Sequence, residues 1–128
     1  MEQRSGFVSF GSTQEHLAGL IGAAADQSNT VWTVAEGAQD GDLVVFYFTI
    51  PVAAFLAYGR VIRRSEETWG KDKKPMAEVG MIRLFPEPVT LRRAKERLAL
   101  AWLKTPRGFA KRRQENVALL LALGGAWR

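Results

Sequence analysis

The sequence has no cysteine and only one histidine, His16. Disulfides, thiolate metal sites and cysteine nucleophiles are therefore excluded, and a lone imidazole favours neither a zinc or iron site nor a histidine-based catalytic triad. We accordingly expect no metal and no cofactor. No apolar run reaches the roughly 18 residues of a membrane span, and residues 1–5 do not begin a signal peptide. These absences predict a soluble cytoplasmic protein with no membrane partner.

The 128 residues have the length of one domain and contain no internal repeat or linker, so residues 1–128 are predicted to form a single domain. The net charge of +5 is unevenly distributed. Residues 1–59 hold one arginine and six acidic residues, whereas residues 60–128 hold seventeen lysines and arginines and seven acidic residues. A basic half of this size favours an anionic partner, and nucleic acid is the commonest one. Charged faces exposed to solvent would explain the same composition.

Hydrophobic periodicity predicts the order strand, helix, four strands and two helices. The predicted strands span residues 6–10, 30–34, 43–50, 53–62 and 78–85, and the predicted helices span residues 13–25, 91–103 and 109–123. Short turns between strands indicate antiparallel pairing, with the helices outside the sheet. The predicted fold class is therefore α+β, a small curved sheet or barrel of about five strands flanked by about three helices.

Local signals set the ends of these elements. Ser12 and Glu15 match a capping box at the first helix, and Thr90 is a candidate cap for the second. The Pro-Glu-Pro segment at residues 86–88 is expected to end the last strand, because proline cannot donate to a ladder. The polar residues 63–75 are predicted to form a loop.

Two tryptophans indicate a function. Trp32 lies in the second predicted strand, and Trp69 lies in the polar loop just before Lys71, Lys73 and Lys74. Two indole faces can stack on a nucleobase while the cations contact the phosphates beside it. Large aromatic residues are also ordinary constituents of a core. Composition leaves both interpretations open, although a tryptophan in a polar loop is harder to place in a core than one within a strand.

The order of these features resembles that of the EVE domain, a member of the PUA-like superfamily that is related to YTH domains. The resemblance covers about residues 7–109. It is carried by residues 7–13 (FVSFGST), 29–34 (NTVWTV), 41–47 (GDLVVFY) and 58–61 (YGRV), followed by Trp69 and the strand at residues 78–85. The resemblance implies a PUA-like barrel with a pocket at one end. In the family, that pocket holds a modified base, such as 5-methylcytosine or N6-methyladenine, flipped out of its strand.

Carried over to this sequence, the resemblance makes Trp32 and Trp69 two walls of an aromatic cage, with Met76 as its apolar floor. Ser12 and Thr13 occupy the turn where relatives place polar groups against the base edge. The predicted base pocket consists of Ser12, Thr13, Trp32, Thr33, Trp69 and Met76. A flipped base also needs cations along its strand. The predicted phosphate contacts are Arg63, Arg64, Lys71, Lys73, Lys74, Arg92 and Arg93. The expected partner is DNA or RNA that carries a modified base.

Other functions are compatible with the sequence. A nucleoside amidohydrolase of the related ASCH type has a Gly-x-Lys-x-x-Glu order that residues 66–72 do not follow, so we expect a binding protein and not an enzyme. A general PUA-like RNA-binding module would use basic helices, including residues 111–113, without selectivity for a modification. The apolar residues 117–123 favour self-association or docking on another protein. Any effector would be a separate protein.

Overall fold

The computed structural model describes residues 6–49, 52–100, 103 and 117–125. The elements are β1 (Gly6–Gly11), α1 (Gln14–Asp26), β2 (Thr30–Thr33), β3 (Leu43–Phe48), β4 (Ala54–Trp69), β5 (Lys74–Thr90), α2 (Leu91–Arg97) and α3 (Leu119–Leu123). The predicted order of elements is confirmed, and so is the α+β class with a curved five-stranded sheet. Within the described ranges, no helix has the length and apolar character needed to cross a membrane.

The five strands form one sheet in the order β1, β3, β4, β5, β2. β1 and β3 are parallel, with Phe7 beside Val44, and the other three pairs are antiparallel. The expectation of antiparallel pairing is therefore wrong for β1 and β3. The physical reason is that the chain passes through α1 and β2 between these two strands. It then returns beside β1 and runs in the same direction.

Side chains join the two edge strands, β1 and β2. The Ser9 hydroxyl donates to the Thr33 carbonyl at 2.8 Å, and the Trp32 indole N–H donates to the Phe10 carbonyl at 3.3 Å. Ser9 is only 3% exposed, so this bond also satisfies a buried hydroxyl. The sheet thus curves until its edges meet, which limits the unpaired backbone that an open edge would present.

β3 is buried on both faces and separates two apolar clusters. On one face, Phe46 belongs to the same cluster as Leu20 of α1. On the other face, Val45 belongs to a cluster with Ala94 of α2 and Leu120 of α3. Fully burying one such leucine stabilises the fold by about 1.5–3 kcal/mol. Burial on both faces explains why the sequence of β3 is an uninterrupted apolar run.

The β4–β5 hairpin is longer than predicted. Residues 63–75 were expected to form a loop, but they continue both strands as far as Trp69, which pairs with Lys74 across the turn. Gly70 and Lys73 adopt positive φ angles of 76° and 51° in that turn, and the Lys73 N–H donates to the Gly70 carbonyl at 3.1 Å. Most side chains at this end of the hairpin are exposed. Backbone pairing forms the strands here, so no apolar alternation marks them in the sequence.

β5 also continues through residues 86–88, where the prolines were expected to end it. These residues lie between Leu84 and Val89, in a stretch where the pairing with β4 shifts register. The Glu87 N–H donates instead to the Gly124 carbonyl at 3.2 Å. A proline is tolerated at such an irregularity because the position contributes no regular ladder bond.

The helices after the sheet differ in length from the predictions. Thr90 caps α2 as predicted, but that helix ends at Arg97 and not near residue 103. Leu100 and Leu103 are nevertheless buried in the second cluster, so the apolar spacing of this segment reflects burial without a continuous helix. α3 is the described part of the last predicted helix. Residues 109–116, including the basic residues 111–113, lie outside the described residues.

Candidate functional site

A pocket of about 520 Å³ lies between α1, β2 and the turn of the β4–β5 hairpin. This volume lies within the roughly 300–1,000 Å³ that small-ligand sites typically enclose. Five of the six residues predicted for the base pocket line it: Ser12, Trp32, Thr33, Trp69 and Met76. Thr13 is the exception. The lining also includes Glu15, His16 and Lys74, of which only Lys74 was predicted, as a phosphate contact.

Trp32 forms a wall whose orientation is fixed. It lies on β2 opposite Ala77 of β5 and is half-buried. Its indole N–H donates to the Phe10 carbonyl at 3.3 Å, and its ring packs edge-to-face on Phe46 at 5.0 Å between centroids. His16 packs on the same ring at 5.8 Å. A hydrogen bond and two ring contacts leave the indole one orientation in which to present its remaining surface to the pocket.

Trp69 forms a second wall of the pocket and, unlike the half-buried Trp32, it is exposed. It is the last residue of β4, and 61% of its surface is accessible to solvent. The prediction that it lies in a loop is wrong, but its position at the hairpin turn brings it to the pocket all the same. An indole usually contributes to stability by the large area that it buries. An exposure of 61% therefore argues against a role for Trp69 in the core.

Thr33 and Met76 meet across the ladder between β2 and β5, where they are directly paired. Both are half-buried and line the pocket. The Thr33 carbonyl is occupied by the Ser9 hydroxyl, so this part of the pocket is attached to the junction of the two edge strands. The thioether of Met76 provides an apolar and polarisable surface that suits contact with a ring.

The N-terminal cap of α1 is Thr13 and not Ser12, so the predicted capping box is wrong by one residue. The Thr13 hydroxyl accepts the His16 N–H at 3.1 Å, which satisfies one of the free donors at the helix start. Thr13 is thereby committed to the helix and does not line the pocket. Ser12 does not cap the helix; it is exposed and lines the pocket.

His16 and Glu15 are pocket residues that sequence reasoning missed. The lone histidine was considered as a metal ligand or catalytic base and rejected for both roles. The available signal was its position: Glu15 and His16 follow Ser12 within one helical turn, on the helix that adjoins the proposed base edge. The backbone N–H of Ser12 donates to Nδ1 of His16 at 3.3 Å. An Nδ1 that accepts this hydrogen bond leaves Nε2 as the ring nitrogen that can donate.

The lysines predicted to contact phosphate are grouped at the hairpin turn. Lys74 lines the pocket, and Lys71 and Lys73 lie in the adjoining turn with exposed side chains. Arg64, further along β4, donates to the Ala38 carbonyl at 3.4 Å. The turn thus places positive charge next to the exposed indole of Trp69, as the sequence predicted.

Arg63 is engaged by a carboxylate. Its Nε lies 2.9 Å from a carboxylate oxygen of Glu78, whose other oxygen accepts a hydrogen bond from the Asn29 amide. The Asn29 hydrogen bond is the largest cause that lowers the pKa of Glu78 below its ordinary value; desolvation opposes it, and the charge and hydrogen bond of Arg63 add to the lowering. A phosphate contact by Arg63 would compete with this ion pair.

Arg92 and Arg93 are not brought to the pocket. They lie on α2, directly after Thr90 at the end of the β4–β5 hairpin opposite the turn. Arg92 pairs with Glu96 at 3.5 Å, and Arg93 pairs with Glu87 at 3.4 Å. The structure therefore separates these two arginines from the other predicted phosphate contacts.

The side chains that line the pocket include two indoles, a thioether, an imidazole, a carboxylate and an ammonium group. Over the described part of the chain, no three histidine, aspartate or glutamate side chains converge as they would to hold a metal ion.

Fold and pocket together define a class of small α+β protein in which a curved five-stranded sheet meets edge to edge beside an aromatic pocket. Two solved structures have the same fold. One is the NMR structure of Rpa0253 from Rhodopseudomonas palustris, with a TM-score of 0.64, 15% identity and 95% of each chain covered. The other is the crystal structure of Atu2648 from Agrobacterium tumefaciens, with a TM-score of 0.64, 14% identity, and coverage of 97% of this chain and 96% of that one.

No protein-family model matches the chain, and no curated protein matches it. At 14–15% identity the likeness to the two structures extends to the fold alone.

Proposed function

We propose that the chain is an EVE-like, PUA-like reader domain that binds DNA or RNA and accommodates a flipped modified base, of the 5-methylcytosine or N6-methyladenine class. The observation that carries the proposal is that Trp32, Trp69 and Lys74 line one pocket of about 520 Å³. A nucleobase is a flat ring attached to a phosphate chain, so it needs both stacking faces and nearby cations.

The magnitudes indicate what each part of the site must supply. Stacking on an aromatic side chain contributes about 1–3 kcal/mol per base, and flipping a base costs a few kcal/mol. Two indole walls offset the flipping cost, and the lysines of the hairpin turn add affinity that depends on salt. A buried methyl group adds about 0.8 kcal/mol, or roughly fourfold in affinity. Strong selectivity for a modified base must therefore also use polar contacts at the base edge.

We infer a binding protein and not an enzyme. The residues compared with the ASCH-type lysine and glutamate are Lys71, Glu66 and Glu67, which are exposed on the hairpin and do not line the pocket. Catalysis requires such groups to reach the reacting atoms. The proposal also places the protein in the cytoplasm and assigns any downstream reaction to a separate effector protein.

The test is fluorescence anisotropy with short strands that carry cytosine, 5-methylcytosine, adenine or N6-methyladenine. Each strand is prepared as DNA and RNA, single and double, and is measured at two salt concentrations. Trp69→Ala removes the exposed wall. Leu84→Ala serves as the matched control because Leu84 is an exposed apolar residue of β5 that does not line the pocket.

We expect tighter binding of one modified strand, lost in Trp69→Ala and retained in Leu84→Ala. Uniform binding that depends steeply on salt and is unaffected by Trp69→Ala would contradict base reading and would favour a general RNA-binding module. An absence of binding to every strand would contradict the proposal altogether.

A further inference from the structure

His16 lines the pocket in a defined orientation, and the proposed stacking and phosphate contacts give it no role. Its ring packs against Trp32 at 5.8 Å with an interplanar angle of 61°, and its Nδ1 accepts the Ser12 backbone N–H at 3.3 Å. Its own backbone N–H is held by the Thr13 hydroxyl. The ring is therefore oriented by two neighbours, and because Nδ1 accepts a hydrogen bond, Nε2 is the ring nitrogen that can donate one.

Glu15 adjoins His16 on α1 and lines the same pocket. An ionised carboxylate only accepts hydrogen bonds. The residues that line the α1 side of the pocket thus include one with a ring N–H donor, His16, and one with an acceptor carboxylate, Glu15. Two polar groups of opposite hydrogen-bonding sense, placed beside two stacking walls, are suited to reading the edge of a ring.

Amino bases and keto bases present opposite patterns at that edge. Cytosine and adenine offer a ring nitrogen that accepts a hydrogen bond beside an amino group that donates one. Thymine and uracil offer a ring N–H that donates, beside carbonyl oxygens that accept. N6-methyladenine keeps one amino hydrogen, and 5-methylcytosine keeps both.

We propose that His16 and Glu15 read the edge of the bound base and select amino bases over keto bases. The His16 Nε2–H donates to the ring nitrogen, and the Glu15 carboxylate accepts from the amino group. With thymine, the His16 N–H would face the ring N–H and the Glu15 carboxylate would face a carbonyl oxygen, so both hydrogen bonds would be lost, each worth about 2- to 13-fold in affinity. This inference rests on the proposed function, because it requires a base held between the tryptophan walls.

The probe is a labelled thymidine strand with one central test base, measured by fluorescence anisotropy. The test bases are adenine, 1-deazaadenine, cytosine, 3-deazacytosine and thymine; each deaza base has C–H in place of the accepting ring nitrogen. Three variants are compared with the natural chain. His16→Phe keeps an aromatic ring against Trp32 without a donor, His16→Gln keeps an N–H donor near the position of Nε2, and Trp69→Ala tests stacking itself.

We expect the natural chain to prefer adenine or cytosine to thymine, and to bind the matching deaza base about 2- to 13-fold more weakly, the effect of one hydrogen bond. His16→Phe should lower the affinity for the natural base by a similar factor. For the deaza base, which lacks the accepting nitrogen, His16→Phe and the natural chain should bind with the same affinity. His16→Gln should restore part of the loss. Histidine 15N chemical shifts should show the proton on Nε2 in the free protein.

Several results would overturn this inference while the proposed function stands. One is a natural chain that binds deaza and natural bases equally, with binding still lost in Trp69→Ala. Another is an equal loss in His16→Phe for both bases, which would give His16 a packing role. A proton found on Nδ1 would also overturn it. If no central base changes the affinity here and no modified strand is preferred in the panel described under the proposed function, the proposed function fails as well.

Discussion

Replacing each pocket tryptophan with alanine, one at a time, separates the contribution of its indole to binding from its contribution to stability. Trp69 is 61% exposed, so about two fifths of an indole that typically buries 150–250 Å² is removed from water. At about 25 cal/mol per Å², Trp69→Ala should destabilise the fold by no more than about 2 kcal/mol. Trp32 is half-buried against Phe46 and donates to Phe10, and buried Trp→Ala changes cost about 3–5 kcal/mol. Each variant should weaken binding of a flipped base by roughly 5- to 160-fold.

The assay pairs urea unfolding, followed by circular dichroism, with anisotropy under the same buffer conditions. Leu84→Ala should leave binding unchanged, because Leu84 is outside the pocket. A Trp69→Ala protein that binds as tightly as the natural chain would refute the stacking argument. A Trp69→Ala protein destabilised as much as Trp32→Ala would show instead that the indole of Trp69 belongs to the core.

The remaining predictions concern charge and capping. Lys71→Gln with Lys73→Gln should lower the magnitude of the slope of log affinity against log salt by about 1.4 on single strands, while Lys95→Gln on α2 should leave it unchanged. An unchanged slope in the double variant would exclude phosphate contacts by Lys71 and Lys73. NMR titration should find the pKa of Glu78 below its ordinary value, and Asn29→Ala should raise it. Because the folded pKa is lowered, the stabilising effect of ionised Glu78 is present above its ordinary pKa and is lost as pH falls through the lowered one. Thr13→Ala should destabilise the fold by about 1 kcal/mol and Ser12→Ala by much less, as measured by urea unfolding; equal effects would argue against the cap at Thr13.

Sequence reasoning predicted the parts of the fold that burial controls. The apolar run of β3 and the spacing of Leu17, Leu20 and Ala24 in α1 both reflect side chains packed in the core, so periodicity identified them. It also predicted that Trp32 and Trp69 lie at one site, and both line the same pocket. What it could not supply is the parallel register of β1 and β3, which depends on where the chain re-enters the sheet.

The missed features are those that rest on backbone pairing or on single hydrogen bonds. The outer part of the β4–β5 hairpin has exposed side chains on both faces, so its sequence reads as a loop. The shift of the helix cap from Ser12 to Thr13 is a change of one residue, and boundaries of this kind are the least certain part of any sequence pattern. The role of His16 depends on which atom its Nδ1 meets, which no spacing rule provides.

The outer hairpin is the part of the fold that the two apolar clusters do not explain. β3 pairs with β4 as far as Arg60, and β2 flanks β5 as far as Met76, so only the last pairs of the hairpin, Thr68 with Pro75 and Trp69 with Lys74, lie beyond the other strands. A two-stranded segment is marginally stable in water, and this one ends in an exposed indole and three lysines. Local arrangements that work against stability are expected at functional sites. The hairpin extension is accounted for if its role is to hold Trp69 and Lys74 at the pocket, opposite the rigid wall formed by Trp32.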